Sequence, residues 1–152
     1  MKEIEFRGKL DKEDNEWFHG DLIQVGIEEK DYYIIDNNYS QLDSTKGIKL
    51  NTCLTPKIDK ETLGQYTGLM DKTGIKIFEG DIVKINYRKG FKCGQAVFKE
   101  FISEVRFESA SFAVSEKISS LTKINPLHIF MRNEIEVIGN VYDNPELLND
   151  KT

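Results

Sequence analysis

The chain has 152 residues, 39% of them hydrophobic and 31% charged, a balance that fits one folded domain rather than a disordered segment. Its net charge of −5 at pH 7 opposes tight non-specific DNA binding, which draws on many cationic phosphate contacts. No apolar run approaches the roughly 18–20 residues that span a bilayer, and "MKEIEFRGKL" lacks the apolar stretch of a secretory signal, so the expected location is the cytoplasm with no membrane partner.

The predicted elements are mostly strands. In residues 2–10, Ile4, Phe6 and Gly8 fall on one side with charges opposite, the period-two pattern of a strand. The polar run "DKEDNE" reads as a turn, and "WFHGDLIQVGI" resumes as the second arm of an antiparallel hairpin. "KDYYIIDN" at 30–37 is a further strand, dense in aromatic and β-branched residues. From Asn37 to Lys60 the text is polar and weakly patterned, with a short strand expected at "GIKLN". "DKETLGQY" predicts one helical turn, capped by Asp59 and ended by Gly64.

Strands return over 65–108. Asp71-Lys72-Thr73-Gly74 reads as a turn with glycine in a left-handed conformation. "RKGFKCG" is expected to be the next turn, and "QAVFKEFISEVRFESASFAVS" supplies two or three more strands. In "EKISSLTKI" the apolar residues at 118, 121 and 124 have helical spacing and predict a short helix. "EIEVIGNVYD" alternates as a strand, and "DNPELLND" places Asn144 as N-cap and Pro145 at the first helical position. That helix is expected to dock on the sheet through Leu147 and Leu148.

One phrase occurs twice. "FHGDLIQV" from Phe18 and "FEGDIVKI" from Phe78 match at an offset of sixty, with Gly8/Gly68, Asp11/Asp71 and Lys12/Lys72 aligned upstream. Each copy reads as a corner: a glycine bends the backbone, an aspartate accepts a turn amide, and a core strand follows. Both Gly-Asp pairs are expected at the start of a strand, with Ile23, Val25, Val83 and Ile85 buried. The alternative, Asp21 and Asp81 as a carboxylate pair, lacks partner residues.

Together these readings predict a mainly β fold (α+β with minor helices) of twisted antiparallel sheets and a short C-terminal helix. An SH3-like barrel around residues 66–115 is its specific version. The chain is expected to form a single unit over 1–152. The repeat leaves open two related β half-units, about 1–37 and 60–115, followed by a strand–helix segment at 134–149.

Chemistry is sparse. Cys53 and Cys93 stand alone, which suits a reducing compartment and leaves the sequon at Asn38 idle. His19 and His128 sit in unrelated contexts, and "SLTK" at Ser120 lacks the companion motifs of a Ser-x-x-Lys enzyme. No glycine pattern cradles a phosphate. The reading is therefore no enzyme, no catalytic residue, no metal and no cofactor. Trp17, beside Phe18, reads as core packing plus an edge contact. The one cluster with binding chemistry is a basic hairpin at 84–99. Lys84, Arg88, Lys89, Lys92 and Lys99 stand there beside Tyr87 and Phe91, a candidate nucleic-acid surface that is not favoured over a solvated face.

Three blocks carry a resemblance. "EIEFRGKL…NEWFHGDLI", "TLGQYTGLMDKTGIKIFEGDIVKI" and "EVIGNVYDNPELL" look like the YopX family of phage and prophage proteins, in the family's order. The resemblance implies a mainly β fold, a phage or prophage origin, residence in the host cytoplasm, and self-association. It brings no catalytic site. The expected role is a non-enzymatic accessory protein acting as a homo-oligomer, or on a host or phage protein. The alternative is a nucleic-acid-binding β-barrel module using the hairpin 84–99. Segments 27–58 and 86–133 lie outside the matching blocks.

Overall fold

The computed structural model describes residues 4–10, 16–28, 30–35 and 57–149. The expected strand "GIKLN", Cys53, the sequon at Asn38 and most of the "DKEDNE" turn lie outside these. The protein is mainly β, built from twelve described strands and four short 3-10 turns, and none of its described helices is long and apolar enough to cross a membrane. The chain divides into two units, residues 1–66 and 67–152.

In the first unit, β1 (Phe6–Gly8), β2 (Phe18–Val25), β3 (Asp31–Ile35) and β4 (Lys57–Ile58) pair antiparallel in the order β4-β3-β2-β1, and Gly64 and Gln65 of β5 (Gly64–Met70) line the free side of β1. Ile34 and Ile58 are buried at 2% exposure each. Gly8 has to be glycine here, because a Cβ would come within 2.3 Å of Ile58 Cγ2. The expected turn is present at Lys60–Thr62, with the Asp59 carboxylate accepting the Glu61 amide. Thr62 in turn accepts the Lys9 amide at 2.9 Å.

β1 is covered on both faces where its pattern predicts one: Gly8 is buried and Phe6 half-buried on the predicted side, and the charged side is buried as well. Ile4 is 58% exposed, whereas Glu5, Arg7 and Lys9, on the opposite side, are buried. Trp17 covers the charged side. Its ring lies 4.6 Å from the Arg7 guanidinium carbon and 5.1 Å from Lys9 Nζ, so both cations meet a π-face and their aliphatic stems are covered.

The second unit holds β6 (Lys76–Phe78), β7 (Asp81–Lys92), β8 (Gln95–Glu104), β9 (Arg106–Glu108), β10 (Ser111–Ile118), β11 (Leu121–Pro126) and β12 (Ile135–Asn140). β6 lies beside β5, and the other six make two antiparallel three-stranded sheets, β12-β7-β8 and β11-β10-β9. The expected barrel is absent: the described strands close no barrel. β7 spends both edges, on β8 and on β12, while β9, β10 and β11 pair only in a meander of their own.

Ile77, Val83, Ile85, Val105, Val114, Leu127, Phe130 and Ile135 form one core, edged by Tyr87 and Phe101. Burying such branched side chains contributes about 1.5–3 kcal/mol each. The rings of Tyr87, Phe101 and Phe130 meet edge to face at 5.5–6.2 Å.

The two copies of the repeated phrase differ. Gly80 (φ +81) precedes β7, Asp81 is 1% exposed with its carboxylate accepting the Phe78 amide at 2.8 Å, and Val83 and Ile85 are fully buried. That copy is a corner. In the other, Gly20 and Asp21 lie inside β2, opposite Phe6 and Ile35, Asp21 is exposed, and Val25 is 49% exposed. β2 pairs with β1 over residues 18–20 and with β3 over residues 21–25, so its partner changes at Gly20-Asp21 while the strand itself continues.

Two local expectations are also corrected. "EKISSLTKI" is a β-hairpin, with Ile118 opposite Leu121 and Ser119 at φ +58. The reversal leaves Ile118, Leu121 and Ile124 exposed at 43%, 73% and 48%. "RKGFKCG" continues β7 as far as Lys92, and the turn is Cys93-Gly94 alone, both at positive φ, the geometry of a tight two-residue hairpin turn. At the C-terminal end Pro145–Leu148 forms a 3-10 turn. Leu147 reaches Gly139, where a Cβ would stand 2.9 Å from Leu147 Cδ1, while Leu148 stays 40% exposed.

Candidate functional site

The seven residues of the predicted basic hairpin all lie on one ribbon, the antiparallel pair β7–β8. The structure sorts them into two groups. Lys84, Tyr87 and Lys99 occupy the proximal part and have structural partners. Arg88, Lys89, Phe91 and Lys92 occupy the distal part and are exposed.

The proximal group is organised by Glu116, on β10, at 2% exposure. Lys99 Nζ lies 2.5 Å from its carboxylate, the Tyr87 hydroxyl donates at 3.0 Å, and Asn125 Nδ2 donates at 3.3 Å. Burial by itself pushes the Glu116 carboxyl up; the hydrogen bonds from Lys99 and Tyr87 and the lysine's charge outweigh it and hold the group below its ordinary value. Burial raises the Tyr87 phenol, and so does its bond to Glu116. The hydrogen bond to Glu116 raises Lys99. The cluster therefore stays an ionised carboxylate, a neutral phenol and a cationic lysine, joining one hairpin to the next. Lys84 meets Glu100 at 3.0 Å on the outer face.

Beyond Tyr87 and Lys99 the ribbon leaves the core. From Arg88 to Phe98 every residue except Gly90 is exposed. Phe91 is 67% and Phe98 64% exposed. On a regular strand Arg88 and Phe91, three apart, would point to opposite faces. A register shift between Arg88 and Gly90 adds a residue, and Arg88 then shares a face with Phe91. Phe98, opposite Arg88, and Ala96, opposite Phe91, belong to that same face. The Arg88 guanidinium carbon lies 5.1 Å from the Phe91 ring centre. Sequence reasoning named Phe91 but missed Phe98. The signal was available only after placing the turn at Cys93-Gly94, which fixes the register.

The other polar centres serve the fold. Asp71, fully buried, accepts the amides of Thr73, Ile75 and Val137 and the Thr73 hydroxyl at 2.8–3.1 Å. Burial alone would raise this carboxyl, but those bonds lower it overall. His19 is exposed on β2, 3.6 Å from Glu5. Asp21 and Asp81 each hold a separate local position in a strand. Among the described residues no three His, Cys, Asp or Glu side chains are grouped to hold a metal ion.

Comparison with known proteins identifies the fold and the family. No curated protein matches the chain. Among solved structures it is similar to protein yopX from Bacillus subtilis, with a TM-score of 0.52 and 18% identity, covering 97% of this chain and 99% of that one. It is also matched with protein EF1440 from Enterococcus faecalis, at a TM-score of 0.47 and 22% identity, covering 97% and 99%. The family model described as YopX protein matches residues 5–149, nearly the whole length, so the chain belongs to the YopX family.

Proposed function

We propose that this protein is a non-enzymatic phage or prophage accessory protein that works in the host cytoplasm through self-association and protein contacts. The observation that carries the reading is the tip and outer edge of the β10–β11 hairpin. β11 is an edge strand, and Ile118, Leu121 and Ile124 stand exposed on its hairpin, Leu121 at 73%. Soluble proteins blunt such edges unless a partner covers them. Aliphatic side chains offer a protein surface dispersion and burial, with little to recognise a charged small molecule.

The partner that fits is a second copy of this chain. Residues 117–124 carry Lys117 and Lys123 with no acid, while the chain as a whole is at −5, so the hairpin is complementary in charge to the rest of another copy. Analytical ultracentrifugation tests the reading. The expected result is a mass above that of one chain, reduced by Leu121→Glu. A strict monomer at high micromolar concentration removes self-association.

A further inference from the structure

The distal β7–β8 ribbon presents a different chemistry, and we propose that it binds single-stranded nucleic acid. In this arrangement bases stack on Phe91 and Phe98, while Arg88, Lys89 and Lys92 meet phosphates. The first support is composition. From Asn86 to Lys99 the chain reads "NYRKGFKCGQAVFK", four cations and no acid within a protein of net charge −5. Lys99 is taken up by Glu116 and Lys84 by Glu100, which leaves Arg88, Lys89 and Lys92 as the cations turned to solvent.

The second support is the face that the bulge creates. Two phenyl rings, both about two-thirds exposed, and one guanidinium share that face. Phe91 stands opposite Ala96, whose methyl group leaves the ring uncovered, and Phe98 is its diagonal neighbour, about 7–8 Å away in an antiparallel ladder. Exposed rings beside cations are what a single strand requires: every base has a π-face, and the backbone is anionic throughout. A protein surface would be better served by buried aliphatic contacts such as those on β10–β11. The ribbon also solves the problem of the acidic chain. From Arg88 to Lys92 the ribbon advances about 10 Å, the three strand steps of its partner segment from Phe98 to Gln95, which is about one Debye length at 0.1 M salt, so repulsion from the acidic remainder is weakened at the tip.

The test is fluorescence anisotropy of labelled oligothymidine and oligouridine with the full chain. Binding is expected at low salt, with a slope of log affinity against log salt of about −2 if three cations each release about 0.7 counterion. Phe91→Ala with Phe98→Ala should weaken binding about tenfold or more, since stacking is worth about 1–3 kcal/mol per base. Arg88→Glu, Lys89→Glu and Lys92→Glu together should abolish it. All five positions are exposed, so circular dichroism of the variants should match the parent. No anisotropy change at about 50 mM salt, or binding indifferent to these substitutions, overturns the proposal. So does a loss of solution mass in the arm variants without an effect on oligonucleotide binding, which would make the ribbon a contact between copies. Because Leu121→Glu reads the self-association reading separately, either conclusion can fail alone.

Discussion

Lys99 Nζ lies 2.5 Å from the carboxylate of Glu116, a side chain only 2% exposed, and this pair ties the β7–β8 ribbon to the β10–β11 hairpin. Tyr87 and Asn125 complete the carboxylate's hydrogen bonds. A buried carboxylate held in this way is costly to leave half-satisfied.

Acid should therefore weaken the protein through this carboxylate. Glu116 keeps its charge in the folded state below its ordinary value of 4.5, so as pH falls the unfolded chain takes up the proton first. The stabilisation is complete above 4.5 and is lost as pH falls toward the lower folded value. Asp71, lowered from 3.8, adds a loss of the same sign in the same acid range. Urea unfolding across this range should show a falling midpoint, with a shallower fall in Glu116→Gln, itself less stable at neutral pH by about 2 kcal/mol. Identical pH profiles for the two proteins would show that Glu116 does not anchor the ribbon.

Asp71→Ala should be among the most damaging single changes. It removes a fully buried acceptor shared by three backbone amides and a hydroxyl at the base of an otherwise exposed turn. With these donors stranded, the expected loss is about 3 kcal/mol or more, read from the denaturant midpoint at unchanged slope. A loss below about 1 kcal/mol would mean that water replaces the carboxylate there.

The repeated phrase makes a paired prediction. Asp81→Ala removes the acceptor of the buried Phe78 amide and should cost about 2 kcal/mol, whereas Asp21→Ala, exposed on β2, should stay within about 0.5 kcal/mol. Equal costs would return both copies to the same structural role.

A stabilising change is available at the turn between β9 and β10. Ala110 sits at φ +63 next to Ser109 at φ +52, a left-handed conformation in which a Cβ crowds the following carbonyl. Ala110→Gly relieves that crowding at the expense of a looser unfolded chain. It should raise stability by about 0.5–1 kcal/mol, seen as a higher melting temperature in scanning calorimetry.

Much of this architecture was legible residue by residue. The Asp59 cap, the Gly74 turn, the Gly80-Asp81 corner and the alternation of Val83 and Ile85 follow from local backbone chemistry, which a sequence states directly. The blocks around "EVIGNVYDNPELL" also carried enough family signal to place the chain among YopX proteins. The ribbon's cations were visible as a cluster of letters. Their division into Lys84 and Lys99, which are engaged, and Arg88, Lys89 and Lys92, which are open, was not.

What the sequence determined by itself was therefore the strand-rich class, the tight turns and the charge of the ribbon, because each depends on neighbours in the chain. Tertiary structure alone decided that the charged face of β1 is buried along with the apolar one, since Trp17 covers Arg7 and Lys9. It also decided that Gly20-Asp21 runs on while Gly80-Asp81 bends, because β2 exchanges β1 for β3 as its partner there without a break in the strand. Finally it set Arg88, Phe91 and Phe98 on one face, through a bulge and a two-residue turn that shift register by single residues. A period-two pattern has no tolerance for such a shift, so the candidate site emerged only with the pairing of β7 and β8.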